Sequence, residues 1–168
     1  KTFPQNVQAM THGLSYWLPL HGLGAAATDD LALRSGMGAC GGFSINYRDP
    51  KAVLALRMYL DRYLKIRPIF TGDYYPLTAH SLDKTAWIAW QFHRADLNES
   101  VVQAFRRPEA TSETLTVKLQ GLIPQQRYEV ENFDGGKEVR TGAELMQGHT
   151  ITLREKPGSA VLLIKAVK

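Results

Sequence analysis

The sequence contains five histidines, His12, His21, His80, His93 and His149. None stands beside another His, Cys, Asp or Glu at a ligand spacing such as His-x-x-x-His, so neither a metal site nor a cofactor is expected. His21 is the candidate worth following. It closes the run Ser15-Tyr16-Trp17-Leu18-Pro19-Leu20, whose continuous apolarity predicts a strand buried on both faces. In an α/β barrel the carboxyl end of such a strand faces the active site; the plainer alternative is a loop histidine satisfied by backbone groups. Ser15 and Ser35 lie near histidines without a Gly-x-Ser-x-Gly elbow, so a Ser-His-Asp triad has no support. Arg34 could bind a substrate hydroxyl or carboxylate, or form a structural salt bridge. Tyr74, Tyr75, Trp87 and Trp90 could stack on sugar rings if exposed, although aromatics at strand spacing more often belong to a core. Hydrolysis of a glycoside needs two carboxyl groups flanking one bond. Asp29, Asp30, Asp49, Asp61, Asp73 and Asp83 all read as caps, turns or solvated helix positions, and no pair falls on neighbouring strand ends.

The elements that would position these residues fall into two halves. After His21 the sequence predicts a glycine-rich loop from Gly22 to Asp30 and a short helix around Leu31–Arg34. Gly36, Gly38, Gly41 and Gly42 break that helix, and a second strand follows over Gly42–Tyr47. Gly22-x-Gly24 and the later glycines lack the dinucleotide fingerprint and its acidic partner. Asp49-Pro50 is an N-cap with proline at the first helical position. Behind it, Val53, Leu56, Leu60, Tyr63 and Leu64 recur at helical spacing, and Pro68 ends the helix at Arg67. Strand, helix, strand, helix is the unit of an α/β fold. Two strands alone cannot bury both faces. Either this half forms a mixed layer against the second half, or it is the end of a sheet or barrel whose earlier units are missing.

The hydrophobic period changes at Gly72-Asp73-Tyr74-Tyr75-Pro76-Leu77-Thr78. From there Ala86–Phe92, Val101–Phe105, Leu115–Leu119, Tyr128–Phe133, Ile151–Leu153 and Ala160–Ile164 read as strands, with turns about every eight to twelve residues, the spacing of an antiparallel β-sandwich. The unbroken apolarity of Val161–Ile164 predicts a central position for the last strand.

Composition narrows the partners. With 168 residues, 44% hydrophobic and 21% charged, the chain is long enough for one large or two small cores. The net charge of +4 is not gathered into a basic run, so nucleic acid is not an expected partner. The single cysteine, Cys40, precludes an internal disulfide. No apolar run is long enough to cross a bilayer. The first residue is Lys1, which fits a processed or excised product.

The succession Tyr16-Trp17-Leu18-Pro19-Leu20-His21-Gly22, Leu33-Arg34-Ser35, Tyr63-Leu64-Lys65-Ile66-Arg67-Pro68 and Gly72-Asp73-Tyr74-Tyr75-Pro76-Leu77 resembles the carboxy-terminal end of the α-galactosidases of glycoside hydrolase family 36 and their melibiase-like relatives. Trp90-Gln91-Phe92, Val102-Gln103-Ala104-Phe105-Arg106-Arg107-Pro108, Leu119-Gln120-Gly121-Leu122, Tyr128-Glu129-Val130-Glu131 and Thr141-Gly142-Ala143-Glu144-Leu145 continue the resemblance in order and spacing. It implies an α/β plus all-β chain: residues 1–70 as the last strand–helix units of a catalytic (β/α)8 barrel, and residues 71–168 as a β-sandwich packed on it. It also implies a retaining mechanism with aspartate nucleophile and acid/base on earlier strands. Neither motif occurs here, so no catalytic residue is expected in this chain, which alone would be inactive. His21, Arg34 and Asn46 would be rim positions near the sugar, and Asp73, Tyr74 and Tyr75 would lie at the domain seam. The implied partners are the upstream barrel portion and an α-galactoside or related oligosaccharide. Isolated barrel strands would leave open edges, so a homo-oligomer is possible. A secreted or periplasmic location is favoured. The alternative is a carbohydrate-binding or interaction module without catalysis.

Overall fold

The computed structural model describes residues 4–167. The first half holds helix α1 (Pro4–Leu14), strand β1 (Gly24–Ala25), helix α2 (Asp30–Ser35), strand β2 (Gly42–Phe43), helix α3 (Pro50–Ile66) and a tight helical turn, Arg67–Thr71. Then come strands β3 (Asp73–Pro76), β4 (Trp87–Arg94), β5 (Glu99–Arg106), β6 (Thr114–Val117), β7 (Arg127–Asn132) and β8 (Lys137–Thr141). Helix α4 (Gly142–Gln147) and strands β9 (His149–Thr152) and β10 (Gly158–Ala166) complete the order.

Strands β3-β4-β5-β10-β7-β8 form one sheet in that order, antiparallel throughout, and β6 pairs with β9 in a separate ribbon. β10 lies between β5 and β7, the central position its apolar run predicts. Because successive strand residues point to opposite faces, the sheet divides its side chains between two cores. Ile88, Trp90, Phe92, Val101, Phe105, Val161 and Leu163 meet Leu33, Tyr59, Tyr63, Ile66 and Phe70 from the helical half. Ala89, Val102, Ala104, Leu162 and Ile164 meet Val117, Leu119, Leu145 and Ile151 under the β6–β9 ribbon and α4. The sandwich is therefore the second of these contacts. The first joins residues on both sides of position 70 in one continuous core.

Local signals explain the elements read correctly. The Asp49 side chain accepts from the Lys51 N–H at 2.9 Å, with Pro50 next, and starts α3. Asp29 accepts from Ala32 N–H and starts α2. Three features depart from the sequence reading. The strand expected at Ser15–Leu20 is absent: Ser15 and Leu18 donate to Thr11 and Leu14 carbonyls, so the run is the unwinding end of α1, with Trp17 83% exposed. Apolarity marked it as buried, but no strand among the described residues pairs with it. The first strand lies later, at β1, where Gly22 packs so closely on the Cys40 carbonyl that a Cβ would collide with it. Finally, β8 and α4 were not foreseen, although Thr141 and Glu144 form a reciprocal capping box.

Candidate functional site

β1 and β2 pair in parallel, Gly24 with Gly42 and Ala25 with Phe43, and Ser44 N–H continues the ladder to the Ala25 carbonyl at 3.0 Å. One face of this ribbon is covered: Ala25 is buried in the core, and Phe43 packs edge-on against Tyr59 and Tyr63, with ring centroids 5.4 and 6.5 Å apart. The other face carries Gly24, Ala26, Gly42 and Ser44, all exposed. Beside it lies an open groove of about 520 Å³ that Val7, Met10 and Leu23 help to wall. The groove lining holds no ionisable side chain. It can receive apolar side chains or a neutral ligand, and it cannot by itself transfer a proton.

The direction of the ribbon places the sequence candidates. Asn46 follows β2 and lies past the carboxyl end of the ribbon, exposed, its Oδ1 accepting from Arg48 N–H at 3.1 Å to shape the turn into α3. His21 precedes β1 and so lies at the amino end. The Ser15 hydroxyl donates to the Thr11 carbonyl at 2.7 Å and accepts from His21 Nε2 at 2.8 Å, which leaves His21 Nδ1 buried without a partner among the described residues. Burial holds the His21 pKa below its ordinary value. With its proton already committed to a carbonyl and no acid behind the imidazole, Ser15 is not an activated nucleophile.

Arg34 is 5% exposed and fully engaged. Its Nη1 donates to Asp134 at 2.8 Å and to the Ser159 carbonyl at 2.9 Å, and its Nη2 to Asp134 at 2.5 Å and to Asp30 at 3.4 Å. Burial alone would lower its pKa, but the Asp134 bonds and the charges of Asp134 and Asp30 outweigh burial and raise it. The side chain ties α2 to the β7–β8 hairpin and to β10. Gln103 adds a second tie, accepting from Trp90 Nε1 at 2.8 Å and donating to the Arg34 carbonyl at 3.0 Å.

At the seam, Asp73 pairs with His93, Tyr74 with Phe92 and Tyr75 with Gln91. The Tyr74 hydroxyl donates to the His12 carbonyl at 3.1 Å, and its ring packs on Tyr16 and Phe92. Burial pushes the Tyr74 pKa up. The Tyr75 hydroxyl lies beside Gly121, which holds a positive φ of 72° against the His93 ring.

His12 was not singled out by sequence, and it is the centre of this region. It is fully buried, with its ring 5.6 to 6.1 Å from those of Tyr16, Tyr74, His80 and Trp90. Its Nε2–H donates to the Thr78 carbonyl at 3.0 Å, and Nδ1 has no partner among the described residues. Burial depresses its pKa, with His80 and Arg107 adding to that and Thr78 opposing it. The helical spacing of Gln8, Thr11 and His12, all buried, was the signal available.

Among the possible sugar platforms, Trp90 is completely buried, and Trp87 is half-buried with Nε1 donating to the Ser112 carbonyl at 3.1 Å. No group of three or more His, Cys, Asp or Glu suited to a metal occurs among the described residues, and no described helix is long and apolar enough to cross a membrane.

With this geometry in hand, residues 87–162 match the family model described as the Glycosyl hydrolase family 36 C-terminal domain. No curated protein sequence matches the chain. Among solved structures, an α-galactosidase from Lactobacillus brevis shares 17% identity with a TM-score of 0.81. The GH36 α-galactosidase AgaA from Geobacillus stearothermophilus shares 22% with a TM-score of 0.81, and the galactosidase domain of the α-galactosidase-sucrose kinase AgaSK shares 21% with a TM-score of 0.80. Each similarity covers 99% of this chain and 25% of the other, so this chain spans about a quarter of the length of these enzymes. A variant of AgaA has been solved in complex with raffinose.

Proposed function

We propose that this chain, whose residues 87–162 match the family model of the glycosyl hydrolase family 36 C-terminal domain, is the carboxy-terminal part of an α-galactosidase-like enzyme. In this reading residues 1–70 complete a (β/α)8 barrel whose other strands lie upstream, and residues 71–168 brace it. The reading also includes a retaining mechanism whose two carboxylates come from the upstream strands, an α-galactoside substrate, and a location outside the cytoplasm.

The observation that carries it is the uncovered face of the β1–β2 ribbon. A parallel pair two residues long is not a stable sheet alone, and parallel strands occur with both faces covered. Here one face is packed and the other is bare. Exposure follows the same division: of the fifteen exposed large hydrophobic residues among the described residues, ten fall within residues 4–66, including Met10, Trp17, Leu20, Val53 and Leu64. On α3 the buried stripe Ala52, Tyr59, Tyr63 and Ile66 rests on the core, while Val53 and Leu64 lie on a second flank, 42% and 56% exposed. That flank is where a neighbouring barrel helix would pack.

Within this arrangement Asn46, beyond the carboxyl end of β2, is the residue placed towards the sugar site. His21 and Arg34 support the strand and helix around it. The carbohydrate-binding alternative loses ground because Trp87, Trp90 and Tyr74 are already used in packing.

The test is an assay of the purified chain against an aryl α-galactoside. No turnover is expected, because the groove lining has no acid or base. Turnover that survived replacement of His21 and Arg34 would show that catalytic groups lie in this chain after all. A tryptophan-fluorescence titration with galactosides and glucosides should stay flat; a saturable change would favour the binding-module alternative.

A further inference from the structure

The net charge of the molecule is concentrated in one place. Residues 48–67, which are α3 and its two ends, contain six Lys or Arg and two Asp, a balance of +4, while the rest of the chain carries fourteen of each sign and sums to zero. All six cations are exposed. Arg62 and Arg67 donate to the carbonyls of Phe133 and Ala39. None of the six forms an ion pair among the described residues, although nine ion pairs form elsewhere.

Charge is combined with apolar surface. Lys51, Leu54, Met58 and Lys65 follow one another along α3 on the flank away from Val53 and Leu64, and Leu54 and Met58 are each 59% exposed. This flank borders two depressions, one of about 490 Å³ between α3 and the β7–β8 hairpin and one of about 320 Å³ between α2 and α3, which meet at Arg62 and Phe133. Of the carboxylates nearby, Asp134 and Asp30 are engaged by Arg34 and Glu131 by Lys137, while exposed Asp61 lies within the stripe, one turn before Lys65. Lys51, Arg62 and Lys65 outnumber that one carboxylate, so the charge facing the groove stays positive.

We infer that the outer flank of α3 and the adjoining groove form a docking surface for an acidic protein segment that carries aliphatic anchors. The inference stands independently of the glycoside hydrolase reading, since it uses a different flank of α3 from the one a barrel helix would cover. A second copy of this chain does not fit, because its own matching face is equally positive. A membrane surface is disfavoured because the cations and aliphatic residues are interleaved rather than segregated into two faces. Leu54 and Met58 would also sit unproductively against phosphates, which disfavours nucleic acid.

The test uses the full chain and a fluorescein-labelled peptide with glutamates around two leucines, read by anisotropy. Controls are the same peptide with lysines for glutamates, phosphatidylserine vesicles, and a DNA duplex. The glutamate peptide should bind, weaken as salt is raised, and lose about tenfold in affinity in the double variant Lys51→Glu, Lys65→Glu. Neither side chain makes a hydrogen bond or ion pair in the fold, so the variant should unfold at the same temperature as the parent. A Leu54→Ser, Met58→Ser variant should weaken binding at high salt as well. Absence of binding, equal binding of the lysine peptide, indifference to charge reversal, or tighter binding to vesicles or duplex would each overturn the proposal.

Discussion

Arg34 illustrates how a residue that could have bound substrate is instead used to hold the fold. Its guanidinium is buried, whereas its partner Asp134 keeps 45% of its side chain accessible, and this asymmetry makes an ordered prediction. Asp134→Ala leaves a buried cation with only the Ser159 carbonyl and a long contact to Asp30, and should cost roughly 3–5 kcal/mol. Arg34→Met leaves Asp134 free to hydrate and fills the space with apolar atoms, and should cost about 1–2 kcal/mol. Urea denaturation of the two variants checks the order; a larger loss for Arg34→Met would mean that the tie is not governed by burial of the cation. His12 gives a second prediction. Its folded pKa lies below the ordinary value, with burial as the main cause, so at pH above about 6.5 it is neutral in both states and its contribution is complete. As pH falls, the unfolded chain takes up a proton that the folded chain refuses, and stability drops. His93 and His149 are shifted the same way, chiefly by burial. The thermal midpoint should therefore fall between about pH 7.5 and 5.5, and His12→Phe should show a shallower fall even though it is less stable throughout. An unchanged slope in His12→Phe would remove His12 as a source of the acid sensitivity.

At the scale of elements, the contact between α1 and the sheet edge rests on Tyr74. Tyr74→Phe keeps the ring on Tyr16 and Phe92 and loses the bond to the His12 carbonyl, a cost of about 1 kcal/mol. Tyr74→Ala removes the ring and should cost about 3–4 kcal/mol, releasing α1 before the sheet unfolds. Amide exchange across Pro4–Leu14 in the two variants reads this directly: protection should persist in Tyr74→Phe and be lost in Tyr74→Ala. The elements that were legible in the sequence are those with a local signal strong enough to need no partner. Asp49-Pro50 starts α3 wherever the chain sits, and the alternation of β4 and β5 marks a sheet with two occupied faces. Gly24-Ala25 has no period to read, because a two-residue strand exists only through its neighbour. Ser15–Leu20 has the composition of a buried strand, yet Tyr16–Leu20 are exposed at the end of α1, so composition alone misplaces it. Once the first strand is at β1, His21 moves to its amino end, while Asn46 keeps the carboxyl position. The placement of Asn46 after β2 was legible because β2 was.

For the whole molecule, the two faces of the central sheet predict two regimes of stability. β4, β5 and β10 are covered on both sides and should exchange their amides only through global unfolding. The β1–β2 ribbon depends on two residue pairs, the bond from Ser44 N–H to the Ala25 carbonyl and a single packed face, so Ser44 N–H should exchange orders of magnitude faster than the amides of β10. Its bare face, together with the exposed Val53 and Leu64 flank of α3, is also where an isolated chain would satisfy itself against other copies. Sedimentation of the purified protein should show concentration-dependent association, and Val53→Glu with Leu64→Glu should reduce it while leaving the thermal midpoint within about 1 kcal/mol of stability, because both side chains already face solvent. The decisive comparison is with a protein extended upstream, as the barrel reading requires: if upstream strands cover the ribbon, Ser44 should become slow to exchange and the association should disappear together. A monodisperse monomer for the 168-residue chain, with Ser44 already protected, would mean that the ribbon needs no further cover and that the barrel reading of residues 1–70 is wrong.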